Sequence, residues 1–227
     1  SLHFEPILWS INEYHIIFVC DDSGSMAAKL LNSNKTRWCE LKEMVTEVID
    51  ISLVFDPVGM DIHFLNRQSW CNIRDRQAIN QMFMAPPTGG TMLCTKLENI
   101  LMNYQNAPHS KLIIIATDGE PKDDVDGYPR LQSILKSMVD VGMHISFLIC
   151  TDRDSDVEYL NVVDKQFSAI DVSDDYHTEK RQIQKVQGRN FRFTYGDYIV
   201  KVLAGSIDNT LDNLDGKRIK KRTCVLL

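Results

Sequence analysis

Oxygen-bearing side chains are concentrated directly after an apolar run near the start of the chain. The apolar residues of positions 14–20 lead into Asp-Asp-Ser-Gly-Ser at positions 21–25, where only Gly24 lacks a side-chain oxygen. A turn needs one or two such residues, so this density indicates a bound cation. In extended backbone the first, third and fifth residues point to the same side, which directs Asp21, Ser23 and Ser25 towards one ion.

Two later segments carry side chains of the same kind. Thr91 lies in the Gly-rich stretch 86–93, and Asp118 lies in a Thr-Asp-Gly turn that follows another apolar run. Ligand sites of parallel α/β sheets lie outside the carboxyl ends of the strands, so we expect these loops to meet there. The combined set is two carboxylates and three hydroxyls, which are ligands for a hard cation: Mg²⁺, with Mn²⁺ as the alternative ion. The five candidate ligands are Asp21, Ser23, Ser25, Thr91 and Asp118.

The spacing of apolar residues predicts the fold class. Nearly continuous apolar runs are typical of strands that are covered on both faces, and they alternate with stripes at helical spacing. The strand candidates are 14–20, 111–118, 144–150 and the shorter 168–173, with a hairpin over 60–66 and 68–73. The helical stripes begin at Trp38, Leu93, Leu131 and Ile199, and the last continues to Leu214. The pattern predicts an α/β, doubly wound, Rossmann-like sheet that is mostly parallel, with one antiparallel edge strand and helices on both faces.

Length and composition suit one globular domain. The chain has 227 residues, of which 44% are hydrophobic and 25% charged, as is ordinary for a soluble domain. We expect a domain over 14–214, an N-terminal extension over 1–13 and a tail over 215–227. The six cysteines form no C-x-x-C pair, so a disulfide framework is not indicated.

The three oxygen-bearing segments resemble a known motif. Their order and spacing are similar to the metal-ion-dependent adhesion site of the von Willebrand factor A domain, called the I domain in integrins. The likeness covers residues 14–214. It implies that Ser23, Ser25 and Thr91 bind the ion directly, while Asp21 and Asp118 act largely through water. It also implies a protein-binding module rather than an enzyme, whose partner offers an exposed Asp or Glu carboxylate.

Asp22 distinguishes this interpretation from an enzymatic alternative. In the resembling motif Asp22 fills the variable position and should point elsewhere. In a phospho-accepting receiver domain, Asp21 and Asp22 would instead hold Mg²⁺ together, but Ser23, Ser25 and the loop of Thr91 would then have no role. The sequence contains neither a G-x-S-x-G elbow nor a phosphate-binding loop. A further alternative is a structural A domain whose metal site is not used.

The charge is distributed unevenly. The net charge is −6, from 25 basic and 31 acidic residues. Five of the basic residues lie in the last eleven positions; removing five from 25 leaves 20 against 31, so the rest of the chain carries −11. An acidic body argues against nucleic acid as a partner. The five basic residues are Lys217, Arg218, Lys220, Lys221 and Arg222.

The last four residues, Cys-Val-Leu-Leu, have the C-a-a-X form of a prenylation signal. Terminal Leu227 favours geranylgeranylation of Cys224, and the preceding basic residues supply the second signal that stable anchoring requires. The arrangement resembles the tails of Rho-type small GTPases. It predicts a cytoplasmic protein held peripherally on the inner membrane leaflet by a lipid, as opposed to a basic terminus without a function. The intracellular A domain of copines is similar in this respect, although their C2 domains are absent here.

Overall fold

Six strands form one sheet in the computed structural model, which describes residues 9–30, 34–55, 58–126, 128–151, 153 and 157–216. The strands are β1 Tyr14–Cys20, β2 Met60–Phe64, β3 Trp70–Ile73, β4 Ser110–Thr117, β5 Met143–Ile149 and β6 Ile170–Ser173. Their order in the sheet is β3-β2-β1-β4-β5-β6. Every neighbouring pair is parallel except β2 and β3, which are antiparallel. The predicted fold class, including its antiparallel edge strand, is therefore confirmed.

Helices cover both faces of the sheet. They are α1 Arg37–Phe55, α2 Arg76–Met82, α3 Leu93–Tyr104, α4 Pro129–Asp140, α5 Leu160–Gln166, α6 Tyr176–Gln187, α7 Tyr195–Ala204 and α8 Asn209–Asp212. The first face packs against α1, α2, α6, α7 and α8 around Phe18 and Ile114. The second face packs against α3, α4 and α5 around Val19 and Ile113. Successive residues of β1 and β4 thus enter opposite cores, which explains their continuous apolar sequence.

The stripe that begins at Ile199 is divided between two helices, not one. α7 ends at Ala204, and α8 begins after Asp208, whose side chain caps it by accepting from the backbone N of Thr210. Gly205 lies so close to buried Asp171 that an added Cβ would be 2.5 Å from its carboxylate. The interruption between α7 and α8 therefore occurs where the chain packs closely against β6.

The segments before and after the predicted domain were expected to be an extension and a tail. Ile11, within the stretch predicted as an extension, is fully buried in the first core, so residues before 14 contribute to packing. The tail 217–227, with Cys224 and the five basic residues, lies outside the described residues. Among the described residues, no helix is long and apolar enough to span a bilayer. The five cysteines in this part of the chain are free thiols.

The sheet topology creates a crevice at one edge. β1 is flanked by β2 on one side and by β4 on the other, so the chain turns in opposite directions from the centre of the sheet. The helices that follow β1 and β4 pack on opposite faces of the sheet, which opens a space at the carboxyl ends of these two strands. Asp21 follows β1 and Asp118 follows β4, which places both at this switch point.

Candidate functional site

The loop after β1 folds tightly against the end of β4. The backbone N of Asp21 donates to Ala116 O at 2.9 Å, which continues the strand pairing by one residue. A short 3-10 helix, Gly24–Ala27, then turns the chain. Within this loop Asp21 Oδ1 accepts from the backbone N of Ser23 at 2.8 Å. The hydroxyls of Ser23 and Ser25 lie 3.0 Å apart, so alternate side chains of the motif do face the same side.

Side chains from the loop after β4 join this cluster. Ser25 Oγ donates to Asp118 Oδ1 at 2.8 Å, and Thr117 Oγ1 donates to Asp21 Oδ2 at 2.8 Å. Both carboxylates are buried. Four of the five predicted ligands are thus connected by direct contacts across 93 residues of sequence.

The Gly-rich loop supplies the fifth residue. It is held to the β1 loop by two backbone hydrogen bonds, from Gly24 N to Gly89 O and from Thr88 N to the carbonyl oxygen of Asp22. Thr91 is 4% exposed, and with Ser25 and Asp118 it lines a cavity of about 440 Å³. All five residues proposed as ligands therefore lie at one place, at the edge predicted from the sequence.

Asp22 points away from the cluster, as the sequence analysis predicted. Its Oδ1 accepts from both the backbone N and the side-chain amide of Asn66, at 2.8 and 3.0 Å. Its Oδ2 lies 3.1 Å from Arg67 Nε. Asn66 Nδ2 also donates to Gly90 O at 2.9 Å, so Asp22 and Asn66 fasten the Gly-rich loop and the loop after β2 to the β1 loop. Asn66 and Arg67 were missed in the sequence analysis because nothing in their spacing relates them to Asp22.

The electrostatics of the cluster favour a cation. The pKa of the Asp21 carboxyl is raised to about 6, chiefly by burial, against hydrogen bonds from Ser23 and Thr117 that lower it, while the charge of Asp118 adds to the rise. A divalent ion between the two carboxylates would remove the repulsion that contributes to this shift. In the described part of the chain, no three His, Cys, Asp or Glu side chains gather to hold an ion. The hydroxyls of Ser23 and Ser25 lie beside the carboxylates of Asp21 and Asp118, and hydroxyl and carboxylate oxygens are ligands that fit Mg²⁺ or Mn²⁺.

A cation from outside the motif also reaches the cluster. Arg37 Nη1 donates to Asp118 Oδ2 at 2.7 Å, and Nη2 donates to Thr151 Oγ1 at the same distance. Arg37 lines the cavity together with Lys122, Arg153 and Glu120. Arg37 could not be recognised from the sequence, since it stands in an ordinary helix-start position 81 residues from its partner.

Comparisons with known proteins bear on the fold. Neither family models nor curated protein sequences match this chain. Among solved structures, proximal thread matrix protein 1 from the mussel byssus matches with a TM-score of 0.53 and 15% identity, over 85% of this chain and 47% of the other. The RO (RSR) protein of Deinococcus radiodurans matches with a TM-score of 0.51 and 15% identity, over 86% and 35%. The chain has the von Willebrand A-type fold.

The A-type fold is the extent of what this likeness establishes. The chain spans less than half the length of the two matched structures, and at 15% identity their activities are not transferable. Manganese-loaded TRAP of Plasmodium vivax matches with a lower TM-score of 0.49, at 16% identity, over 74% of this chain and 72% of the other. The chemistry of this A-type domain therefore rests on its own residues.

Replacing Gly89 by alanine should destabilise the domain by about 2 kcal/mol or more, because a side chain at positive φ is strained and adds to a steric clash. Gly89 has φ +102°, and an added Cβ would lie 2.5 Å from Asn66 Oδ1. Gly119→Ala is the matched control, since nothing lies within 4 Å of its added Cβ. Urea unfolding of the two variants measures the difference. The double variant Gly89→Ala/Asn66→Ala should lose less free energy of unfolding than the two single variants lose together, because the clash partner is absent. Strictly additive losses would contradict the contact between Asn66 and the Gly-rich loop.

Proposed function

We propose that this A-type domain is a metal-dependent protein-interaction module and not an enzyme. Asp21, Ser23, Ser25, Thr91 and Asp118 would hold Mg²⁺, with Mn²⁺ as the alternative ion. The observation that carries the proposal is the position of the Ser25 hydroxyl, which contacts Ser23 Oγ at 3.0 Å and Asp118 Oδ1 at 2.8 Å. One side chain thereby joins the motif after β1 to the motif after β4, and no core packing requires that contact.

The surroundings of the cluster favour an acidic ligand. Ser25 and Thr91 are neutral, so an ion held directly by hydroxyls keeps most of its positive charge for a ligand carboxylate. The adjoining cavity is also lined by three cationic side chains, Arg37, Lys122 and Arg153, against two acidic side chains, Asp118 and Glu120. A chain whose body is acidic overall would repel an acidic partner elsewhere. The cavity therefore directs an exposed Asp or Glu of a partner protein to this edge of the sheet.

The geometry does not favour the receiver-domain alternative. That mechanism needs both neighbouring aspartates at one ion, but the carboxylate of Asp22 contacts Asn66 and Arg67 instead. Asp21 alone faces the cluster with Ser23 and Thr117. An interaction module uses every side chain of the cluster, whereas the receiver uses one of them.

Mg²⁺ should stabilise the folded domain, because its proposed ligands come together only in the native state. At a hundredfold excess over the dissociation constant the gain is about 2.7 kcal/mol. The double variant Ser23→Ala/Ser25→Ala should lose this increment; its stability in chelator should also fall by about 1 kcal/mol, since Asp118 loses a hydrogen-bond donor. Ser137→Ala removes an exposed hydroxyl that donates to Ser133 O and serves as control. The measurement is the melting temperature with Mg²⁺ and with chelator.

A parent protein whose melting temperature is the same in both conditions would indicate the remaining alternative, an A domain with an unused metal site. Retention of the full Mg²⁺ increment in the double variant would instead show that the ion binds elsewhere. The control variant should keep the increment of the parent in every case.

Partner binding should require the ion and an acidic residue on the partner. Proteins captured by the immobilised domain in Mg²⁺ should be lost in chelator, recovered on adding Mg²⁺ or Mn²⁺, and lost again with Thr91→Ala. Thr91→Ala is preferable to Asp118→Ala, which would leave the buried guanidinium of Arg37 without its carboxylate. Replacing single exposed Asp and Glu residues of a captured protein by Asn and Gln then identifies the carboxylate. A partner that binds equally in excess chelator would exclude the metal site as the contact.

We also propose that the chain is anchored to the cytoplasmic leaflet through a prenyl group on Cys224, a modification that requires Leu227 to be the last residue of the protein. The parent expressed in eukaryotic cells should fractionate with membranes and gain the mass of a prenyl group, because a lipid and a basic segment together give stable binding. Cys224→Ser should release the protein, whereas Cys39→Ser, which removes an exposed free thiol, should not. Neutralising the five basic residues should weaken binding but keep the lipid. A soluble parent of unmodified mass would contradict the proposal.

A further inference from the structure

Arg37 is a buried cation fixed inside the candidate site. It is the first residue of α1, and its side chain is 7% exposed. The guanidinium is held by two hydrogen bonds of 2.7 Å, to Asp118 Oδ2 and to Thr151 Oγ1. Thr151 lies just beyond β5, so the guanidinium spans from the end of β4 to the end of β5.

Arg37 shares one carboxylate with the proposed ion. Asp118 Oδ1 accepts from Ser25 Oγ at 2.8 Å, whereas Oδ2 accepts from Arg37. An ion at the motif would draw on the same carboxylate, directly or through water, so the two cations would lie a few ångströms apart. Like charges that close disfavour each other, and burial strengthens the effect.

The backbone of Arg37 is tied to the loop that carries Ser25. Ala28 N donates to Ser25 O at 2.9 Å, and Arg37 N donates to Ala28 O at 3.0 Å. An antiparallel β-bridge also pairs Lys29 with Thr36. These bonds set the start of α1 against the metal-binding loop, so the position of the guanidinium is built into the site.

We propose that Arg37 is a resident counter-cation that lowers the affinity of the site for its divalent ion, and that an anionic ligand relieves this repulsion, so that ion and acidic ligand bind cooperatively. The inference rests on the proposed metal-binding function. Arg37 lines the same cavity as Ser25 and Thr91, so a carboxylate that binds the ion there also approaches the guanidinium. Coupling of this kind is reciprocal: the ligand raises the affinity for the ion by the same factor as the ion raises the affinity for the ligand.

Calorimetric titration with Mn²⁺ alone tests the first part. Arg37→Gln should bind Mn²⁺ about tenfold more tightly than the parent, which corresponds to about 1.4 kcal/mol. Arg37→Lys keeps the charge and should remain within about threefold of the parent, since the repulsion depends on charge. Arg76→Gln is the matched control: it removes the same charge from an exposed pair with Asp50 and should leave the affinity unchanged. A residue that only held Asp118 in position would give the opposite sign, weaker binding in Arg37→Gln.

Acetate at constant ionic strength tests the second part as a simple carboxylate. It should strengthen Mn²⁺ binding to the parent and to Arg76→Gln, and strengthen it less in Arg37→Gln, where the repulsion is already absent. An equal effect of acetate on all three proteins would overturn the cooperative role of Arg37.

The outcomes separate this inference from the proposed function. If the parent binds Mn²⁺ and Arg37→Gln binds it equally or more weakly, only the role of Arg37 is overturned. If neither protein binds Mn²⁺, the metal site itself is wrong and both proposals fall. Should Arg37→Gln fail to fold, Arg37→Met replaces it, because it also removes the charge but fills the buried position with an apolar side chain. About tenfold tighter binding of Mn²⁺ by Arg37→Met then supports the proposal, and an unchanged or weaker affinity overturns it.

Discussion

The parallel pairing of β1 with β4 is the constraint on which the site depends. The register sets Cys20 beside Ala116, and the bond from Asp21 N to Ala116 O extends it to the first residue of the motif. Two loops that are far apart in sequence therefore leave the sheet side by side. The strand that follows β1 lies on one side of this pair, and the strand that follows β4 lies on the other. The helices that connect them therefore diverge and leave room for a ligand. Asp21 and Asp118 face each other because the sheet places them there, and the repulsion between them is offset by the stability of two cores.

The parts of this arrangement that were predictable from sequence are those with a repeating or local signal. Continuous apolar runs identified the buried strands because residues of β1 alternate between two cores. The motif residues were recognisable because their order along the chain follows the order of the loops. α6 was missed: it is polar except for positions such as Ile183, which packs into the first core. Its start signal, the capping carboxylate of Asp175 that accepts from His177 N and Thr178 N, is local but common in turns.

Contacts between distant side chains had no such signal. Arg37 and Asp118 are joined only by the tertiary fold, and the same holds for Asp22 with Asn66. The division of the last helical stripe also had no local signal. It occurs at Gly205, which packs closely against the carboxylate of Asp171 on β6. A helical pattern reports which residues face the core, and Leu211 and Leu214 do reach it. It does not report whether the backbone between them remains helical.

Two buried charge clusters in this domain have different consequences. Lys201 lies 3.2 Å from Asp171 and 3.4 Å from Glu179, with all three side chains 1% exposed. Burial lowers the pKa of Lys201, but these two carboxylates outweigh burial and raise the pKa above its ordinary value. That cluster joins β6, α6 and α7, and removing one partner would leave a buried charge without compensation.

At the candidate site the balance of charge is left open to a ligand. Arg37 satisfies Asp118, but the recorded contacts of Asp21 come from neutral donors, Ser23 N and Thr117 Oγ1. A divalent ion would neutralise Asp21 and leave an excess of positive charge, because Arg37 already balances Asp118. An anion from outside the domain can balance that excess. The closed cluster around Lys201 needs no such anion, since its lysine faces two carboxylates. The charges around Lys201 are thus balanced inside the fold, whereas the proposed function uses the charge at the carboxyl ends of β1 and β4, where a cavity adjoins the cluster.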